Sequence, residues 1–249
     1  DAHWGAEMTY DYLTSAHSRN SIDDNGFTLN SYVHYDQGYS NAFWDGQRMT
    51  YGDGNNNPFT ALDIAGHEIG HGLTTNEADL DYQDESGALN ESFSDIMGML
   101  VENYGRPSNW NWLIGEDLGF TLRNMQNPNA TGDPDTYFGN NWAPLGGADN
   151  GGVHTNSSVQ NYWFYLVAVG DAGTNDNGDS YNVTGIGMAD AADIAYRNLT
   201  VYLTNTSDFN DARFYSIQCA IDLYGGCSNE VEAVTSAWYA VGVGPDYVP

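Results

Sequence analysis

Two histidines four residues apart, with a glutamate directly after the first, form the string His67-Glu68-Ile69-Gly70-His71. On a helix, positions i and i+4 lie one turn apart on the same face, so both imidazoles can reach one metal ion. Zinc is the ion typical of such a pair, and the glutamate is placed to take a proton from a metal-bound water. The string predicts hydrolytic zinc chemistry, and two ordinary surface histidines on a helix are the alternative.

A catalytic zinc needs a third protein ligand and an open fourth position. Glu91 lies twenty residues beyond His71 on the next predicted helix, and Asp95 follows one turn later. A carboxylate in the Asp95 position can accept the second N–H of a ligating histidine and fix its tautomer. Each acid alone is compatible with a solvated helix face. Together, after the first motif, they indicate a ligand and its supporting acceptor.

The elements that carry these residues follow from the periodicity of apolar residues. We predict a helix over 2–17, then β-like runs over Asn30–Tyr35 and Ala42–Tyr51, the second bent at Asp45-Gly46 as in a hairpin. Further helices are predicted over 60–74, 86–104, 157–170, 185–204, 208–224 and 229–241, with polar, Gly-rich connections at 126–152 and 171–182. The predicted fold class is α+β, with a small mixed lobe over 1–74 that includes the His67 helix and a mainly helical lobe over 75–249.

The charge balance argues against several classes of partner. The 249 residues include 34 acids and 6 bases, every base is arginine, and the net charge is −28. Such a chain repels nucleic acid and anionic lipid, so neither is expected as a partner. The acids form either a coat that keeps the protein soluble or an adaptation to salty surroundings, where screening relieves the repulsion. No apolar run is long enough to predict a membrane span.

Two cysteines, Cys219 and Cys227, flank the turn-like Tyr224-Gly225-Gly226. An even pair at this spacing predicts a small-loop disulfide, formed in the oxidising compartment that an exported protein meets. Two unrelated buried thiols are the alternative.

The sequence resembles the thermolysin-like neutral metalloproteases from Asp1 to about Val243. The matching strings are Asn41-Ala42-Phe43-Trp44, Gly66 to His71, Tyr82 to Glu91, Ser94-Asp95-Ile96, and Asp149-Asn150-Gly151-Gly152-Val153-His154. The resemblance implies a thermolysin-like, two-lobed fold with a central zinc-binding helix. Members of the family carry a further β-rich stretch before the position of Asp1, so we expect an N-terminal lobe that is pared down or shortened by processing.

The resemblance also implies roles for individual residues. Zinc would bind to His67, His71 and Glu91, with Glu68 as general base. Tyr82 and His154 would hydrogen-bond the developing oxyanion, and Asp149 would orient His154. The implied substrate contacts are a carbonyl ligand at Arg123 and a peptide-pairing edge at Asn41 and Ala42.

Two further groups are implied by the resemblance. An apolar pocket just past the scissile bond would select a bulky apolar side chain; ordinary core is the alternative for its four residues, Ile64, Ile114, Leu118 and Leu122. A structural calcium ion would bind hard oxygen ligands, namely Asp63, Glu102, Asn111, Glu116 and the Leu113 carbonyl. Asn111 stands where an acid is common, so we expect one calcium ion and not two.

These observations predict a secreted, monomeric zinc endopeptidase that acts on proteins or peptides. An aminopeptidase is an alternative, although no motif for an acidic, amine-binding patch is visible. A catalytically inactive relative that serves as a calcium-stabilised binding module is another, and the presence of Glu68, Glu91 and His154 together argues against it. A purely structural calcium protein would explain the acids but not the two histidines.

Overall fold

The computed structural model describes residues 1–55 and 57–248 and divides the chain into two compact units. The first unit contains residues 1–77 and 93–123, and the second contains 78–92 and the chain from 124 onward. Helix α3 (Asp84–Gly105) begins in the second unit and ends in the first. Within the described residues, no helix is both long and apolar enough to span a membrane.

The first unit combines helices with a small sheet. Its elements are α1 (Ala2–His17), β1 (Ser31–Tyr32), β2 (Ala42–Trp44), β3 (Met49–Tyr51), α2 (Leu62–Asn76), the end of α3, β4 (Leu113–Ile114), a 3₁₀ turn (Glu116–Leu118) and the start of β5 (Arg123–Asn124). Strand β3 lies between β1, which is parallel to it, and β2, which is antiparallel to it. The predicted hairpin is present, because the Asp45 carboxylate accepts the N–H groups of Gln47 and Arg48 at 3.0 Å and closes the turn.

Helix α2 is buried along most of its length, because small residues bring its neighbours close. A Cβ atom on Gly5 of α1 would lie 2.3 Å from Cβ of Ala65 on α2. A Cβ atom on Gly70 of α2 would lie 2.9 Å from Cα of Ser94 on α3. Glycine at such contacts lets backbones approach to distances that any side chain would prevent. The helix that carries His67 and His71 is thereby packed closely against α1 and α3.

The second unit is mainly helical, which confirms the predicted α+β class with a helical second part. Its further elements are a 3₁₀ turn (Pro128–Ala130), α4 (Ala148–Asn156), α5 (Ser158–Val169), β6 (Gly170–Thr174), β7 (Ser180–Thr184), α6 (Met188–Arg197), a π-helical turn (Asn198–Tyr202), α7 (Phe209–Tyr224) and α8 (Asn229–Ala240). Helix α5 is buried on nearly every face. Its Trp163 stacks on Trp238 of α8, with ring centroids 4.8 Å apart, at the centre of the apolar core.

One predicted connection, over 171–182, contains a hairpin instead. Strands β6 and β7 pair antiparallel from Gly170↔Thr184 to Thr174↔Ser180. Only the turn matches the polar, Gly-rich signal, and there the Asn175 side chain accepts the N–H groups of Asn177 and Asp179. Strand β6 is almost entirely exposed and has no apolar alternation. Its pairing with β7 sets its conformation, so periodicity could not reveal it.

The predicted disulfide between Cys219 and Cys227 is not formed, and both residues are free thiols. Cys219 is completely buried in α7, whereas Cys227 is exposed in the turn before α8. Spacing in sequence does not bring two sulfur atoms together when one side chain points into a core and the other into solvent.

Candidate metal centre

Among the side chains of residues 1–55 and 57–248, one group of three potential metal ligands converges. The ligand atoms of His67, His71 and Glu91 all lie within 4.8 Å of one another. The Nε2 atoms of the two histidines are 3.1 Å apart, and their rings are nearly perpendicular, at 88°. His67 and Glu91 are buried and His71 is half-buried. The predicted ligand set is therefore assembled from α2 and α3.

The outer nitrogen of each imidazole has a partner on α3. Nδ1 of His67 lies 2.9 Å from Oδ1 of Asp95, and Nδ1 of His71 lies 3.0 Å from Oγ of Ser94. A carboxylate partner at Nδ1 favours the tautomer of His67 in which the Nε2 lone pair is available to a metal ion. Two nitrogens on one tetrahedral zinc, each about 2.0–2.1 Å from it, lie about 3.3 Å apart. The spacing and donor chemistry of these residues fit zinc.

Asp95 is fully buried and is held ionised by its neighbours. Arg123 donates to its carboxylate through Nε at 2.5 Å and through a terminal nitrogen at 2.7 Å. Burial would raise the pKa of Asp95, but the charge of Arg123 and the bonds from His67 and Arg123 hold that pKa far below its usual value. The predicted substrate ligand Arg123 thus binds Asp95 and compensates its buried charge.

Glu68, the predicted general base, is buried in α2 between the two histidines, with 6% of its surface exposed. Its charge acts on Tyr51 of β3, whose pKa is raised first by burial and second by Glu68. Ser94, which the sequence matched without a role, and Tyr51, which it did not single out, are two neighbours of this centre. The position of Ser94, directly before Asp95, was the available signal for a second histidine acceptor.

Tyr82, Asp149 and His154 meet around Glu91 in the second unit. The Tyr82 hydroxyl donates to Oε1 of Glu91 and lies 3.2 Å from Nε2 of His154. Nδ1 of His154 is 2.6 Å from Oδ1 of Asp149, and its Nε2 is 3.5 Å from Oε1 of Glu91. One imidazole nitrogen of His154 therefore pairs with Asp149 while the other faces Glu91. The structure brings this predicted group together.

The backbone ahead of His154 is unusual. His154 lies in α4 after four consecutive left-handed residues, Asp149 to Gly152, with φ between 49° and 85°. Asp and Asn tolerate this region better than other side chains, and glycine adopts it freely. The four residues form a left-handed turn just before His154.

The predicted substrate contacts lie in the first unit. Asn41 is exposed and Ala42 begins β2, which is at one edge of its sheet. The four residues of the predicted apolar pocket differ in exposure: Leu122 is half-buried, whereas the other three are buried, at 4%, 0% and 1% exposure, namely Ile64, Ile114 and Leu118. In this structure, Leu122 is the one of these four side chains that is partly exposed to solvent.

The acidic side chains predicted to bind calcium are buried close together, and their negative charges repel one another. Asp63 and Glu102 are 2% and 3% exposed. Burial, followed by the charges of Asp63 and Glu116, raises the pKa of Glu102 to about 8. Among the described residues, Oε2 of Glu102 and Oε2 of Glu116 are buried without a hydrogen-bond partner. Asn111 donates to Glu116 at 2.7 Å and accepts from the Leu113 N–H at 2.7 Å.

Comparison with known proteins connects this geometry to a family. Two sequence models of protein families match the chain. The family model for the thermolysin metallopeptidase catalytic domain matches residues 1–75, and the family model for its alpha-helical domain matches residues 78–243. Bacillolysin of Bacillus cereus is 47% identical and thermolysin of Alicyclobacillus acidocaldarius is 45% identical, each over 98% of this chain. The chain spans 43% and 45% of those proteins, less than half of their length.

A solved structure supports the same relationship. The precursor of protealysin, a metalloproteinase from Serratia proteamaculans, superimposes with a TM-score of 0.81 at 33% identity. The match covers 98% of this chain and 77% of the protealysin chain. The arrangement of helices and strands described above is therefore shared with a solved relative over almost the full length of the chain.

Proposed function

The chain belongs to the thermolysin metallopeptidase family, and we propose that it is a secreted, monomeric zinc endopeptidase with an active-site helix in an N-terminal lobe over 1–74 and a helical lobe over 75–249. The convergence of His67, His71 and Glu91 carries the proposal, since two imidazoles and a carboxylate are a known ligand set of hydrolytic zinc. Secretion is supported by the family resemblance. Recovery of the protein from the culture medium, with an intracellular marker absent, would test it.

The proposed chemistry divides between the metal and the protein. When bound, zinc lowers the pKa of a water to about 7 and polarises the substrate carbonyl. Glu68 lies next to a ligand but outside the converging group of three, and its carboxylate accepts the proton of the attacking water. Burial of Glu68 keeps bulk water from competing for that role.

Tyr82 and His154 would act as donors to the carbonyl oxygen as negative charge develops on it, and the Tyr82 hydroxyl would then turn its hydrogen from Glu91 to that oxygen. Their polar atoms lie 3.2 Å apart, so one oxygen can receive hydrogen bonds from both. Asp149 pairs with Nδ1 of His154, and this contact fixes the direction in which Nε2 points. A fixed donor of this kind typically contributes roughly 3 kcal/mol to transition-state stabilisation.

Substrate binding is proposed along β2 and the β4–β5 region. The exposed Asn41 and the edge position of β2 support backbone pairing with an extended peptide. Arg123 would contact a substrate carbonyl. A bulky apolar residue after the scissile bond would contact Leu122 first, with Ile64, Ile114 and Leu118 behind it. Discrimination between similar apolar residues would be about 1–3 kcal/mol.

We also propose one structural calcium ion on the acidic group. The raised pKa of Glu102 and the buried oxygens of Glu102 and Glu116 support a cation there, because a divalent ion would compensate the buried negative charge and relieve the repulsion between neighbouring acids. The proposed ligands are Asp63, Glu102, Asn111, Glu116 and the Leu113 carbonyl.

Two measurements on the same sample test the proposal: zinc content, and hydrolysis of an internally quenched peptide blocked at both ends. We expect close to one zinc per chain and cleavage inside the peptide. A blocked terminus prevents aminopeptidase action, so cleavage excludes that alternative, and an inactive binding module would cleave nothing. A fully zinc-loaded protein that leaves a panel of such peptides intact would contradict the proposed function.

A further inference from the structure

The left-handed turn ahead of His154 is anchored by a carboxylate that has no assigned role, that of Asp84. Asp84 is the first residue of α3 and is itself left-handed, with φ 51°. Its Oδ1 accepts the N–H of Gly146 at 2.5 Å. A Cβ atom on Gly151 would lie 1.9 Å from the same oxygen. The carboxylate therefore occupies the space beside Gly151 that any side chain there would need.

The turn is also held from its other side. The Asn156 amide accepts the N–H of Ala143 at 2.9 Å and donates to the Ala143 carbonyl at 3.0 Å. A Cβ atom on Gly152 would lie 2.3 Å from Cβ of Ala143. Segment 143–152 is thus fastened at its start by Asn156 and in its middle by Asp84. Four consecutive left-handed residues need such surroundings, because two of them are not glycine.

Asp84 also connects the two proposed oxyanion donors. Tyr82 precedes Asp84 by two residues, and His154 follows Gly151 by three. At the same junction, a Cβ atom on Gly87 would lie 2.4 Å from Cγ1 of Val153, so the first turn of α3 packs directly against the backbone that leads to His154. The hydrogen bond from the Gly146 N–H to Asp84 is a polar contact between the start of α3 and this backbone.

We propose that Asp84 is a positioning residue, which holds segment 146–152, with its left-handed turn, against α3 and so sets the distance between the Tyr82 hydroxyl and Nε2 of His154. This inference rests on the proposed function for its kinetic consequence but not for its structural one. An acceptor oxygen at position 84 is the requirement, and negative charge is not. Displacement of a donor by about 1 Å can reduce turnover roughly 100-fold.

Three variants distinguish the effect of losing the acceptor oxygen from the effects of losing the charge and of changing a left-handed backbone position. Asp84→Gly tolerates φ 51° and removes the acceptor. Asp84→Asn tolerates the same backbone and keeps an acceptor oxygen. Asp79→Gly is the matched control, because Asp79 is also left-handed, with φ 49°, and is exposed in the same unit. Each variant is prepared with zinc, and its zinc content and thermal unfolding are measured first.

The first readout is hydrogen exchange of the 143–154 backbone. In Asp84→Gly we expect the Gly146 amide to exchange about tenfold faster or more, with Asp84→Asn and Asp79→Gly close to wild type. The second readout is peptide hydrolysis: kcat of Asp84→Gly should fall roughly 10- to 100-fold with KM within about twofold and zinc content unchanged. Affinity for a tetrahedral phosphonamidate peptide should fall in parallel with kcat/KM.

Equal hydrogen-exchange rates of the Gly146 amide in Asp84→Gly and wild type would overturn the proposal, whatever the rates of peptide hydrolysis. An equal loss of kcat in Asp84→Asn and Asp84→Gly would also overturn it, since charge and not the acceptor would then matter. If the wild-type, zinc-loaded chain cleaves no peptide, the proposed function fails, and hydrogen exchange alone still decides whether Asp84 holds the turn.

Discussion

Gly98 of α3 lies so close to Asp63 of α2 that a Cβ atom at Gly98 would be 2.4 Å from the Asp63 carbonyl oxygen. The same Cβ would lie 3.3 Å from the backbone nitrogen of His67. Contact of backbone with backbone at this point leaves no flexible side chain to move aside. The placement of the His67 helix is therefore coupled to α3, which supplies Glu91 and Asp95.

Replacement of Gly98 by alanine should force α2 and α3 apart. We expect a loss of stability of about 1–3 kcal/mol, as for other overpacked sites, and weaker zinc binding. Gly226→Ala is the control, because nothing lies within 4 Å of a Cβ atom there. Thermal unfolding and zinc titration of both variants test this, and a Gly98→Ala protein with wild-type stability and zinc affinity would contradict it.

Asp95→Asn should weaken zinc binding by about 10- to 100-fold, because the amide no longer holds a proton on Nδ1 of His67 as a carboxylate does. The variant should also lose stability, since Arg123 keeps its buried charge without a counterion. Competition with a metal chelator measures the first effect and denaturant unfolding of the zinc-free protein measures the second. Unchanged zinc affinity would remove Asp95 from its supporting role.

Glu68→Gln and Glu91→Gln should separate chemistry from metal binding. The Glu68→Gln amide cannot accept a proton, so turnover should fall a hundredfold or more, within the roughly 10²- to 10⁴-fold range of acid–base catalysis, while zinc stays near one per chain. Glu91→Gln removes a charged ligand, so zinc affinity and activity should fall together. The reverse pattern, with zinc lost from Glu68→Gln and kept by Glu91→Gln, would exchange the two roles.

Ionisation of Glu102 should destabilise the calcium-free protein as pH rises. The folded-state pKa of about 8 lies above the ordinary value of 4.5, so the folded state binds this proton more tightly than the unfolded state. The stability that the proton provides is present below about pH 4.5 and is lost towards pH 8. Glu102→Gln should therefore unfold at a higher temperature than wild type at pH 8, and the difference should shrink towards pH 5.

Calcium supplies the control for that prediction. Added calcium should raise the unfolding temperature of the wild type at pH 8 and should raise that of Glu102→Gln much less, because a charged ligand is missing. Calorimetry with and without calcium measures both. A wild-type unfolding temperature that does not respond to calcium at pH 8 would contradict the proposed calcium site.

The two cysteines should react as separate thiols. Cys227 is exposed and should react with a thiol reagent in the native protein. Cys219 is completely buried, and burial raises its pKa to about 12, so it should react only after unfolding. Mass spectrometry after labelling under native and under denaturing conditions counts the thiols that have reacted. If neither cysteine reacts with the thiol reagent under denaturing, non-reducing conditions, the two are joined in a disulfide instead.

Much of the zinc chemistry was predictable from the sequence, because it depends on spacing along single helices. His67 and His71 share a face of α2 in any context where that segment is helical, and Glu91 and Asp95 do so on α3. The hairpin at Asp45-Gly46 was likewise predictable, because a turn is stabilised by residues within it. The strands β6 and β7 were not, since each depends on its partner.

Partners across the chain were decided only by the tertiary structure. Arg123 was expected to face substrate, and the fold also directs it to Asp95, 28 residues away. Asp84 lies in the matching string Tyr82 to Glu91 without a role implied for it, and its proposed role follows from a contact with Gly146, 62 residues distant. The cysteine pair was close in sequence, yet its side chains face core and solvent. Local periodicity specifies which face of an element a side chain occupies, but packing of several elements specifies what lies opposite that face.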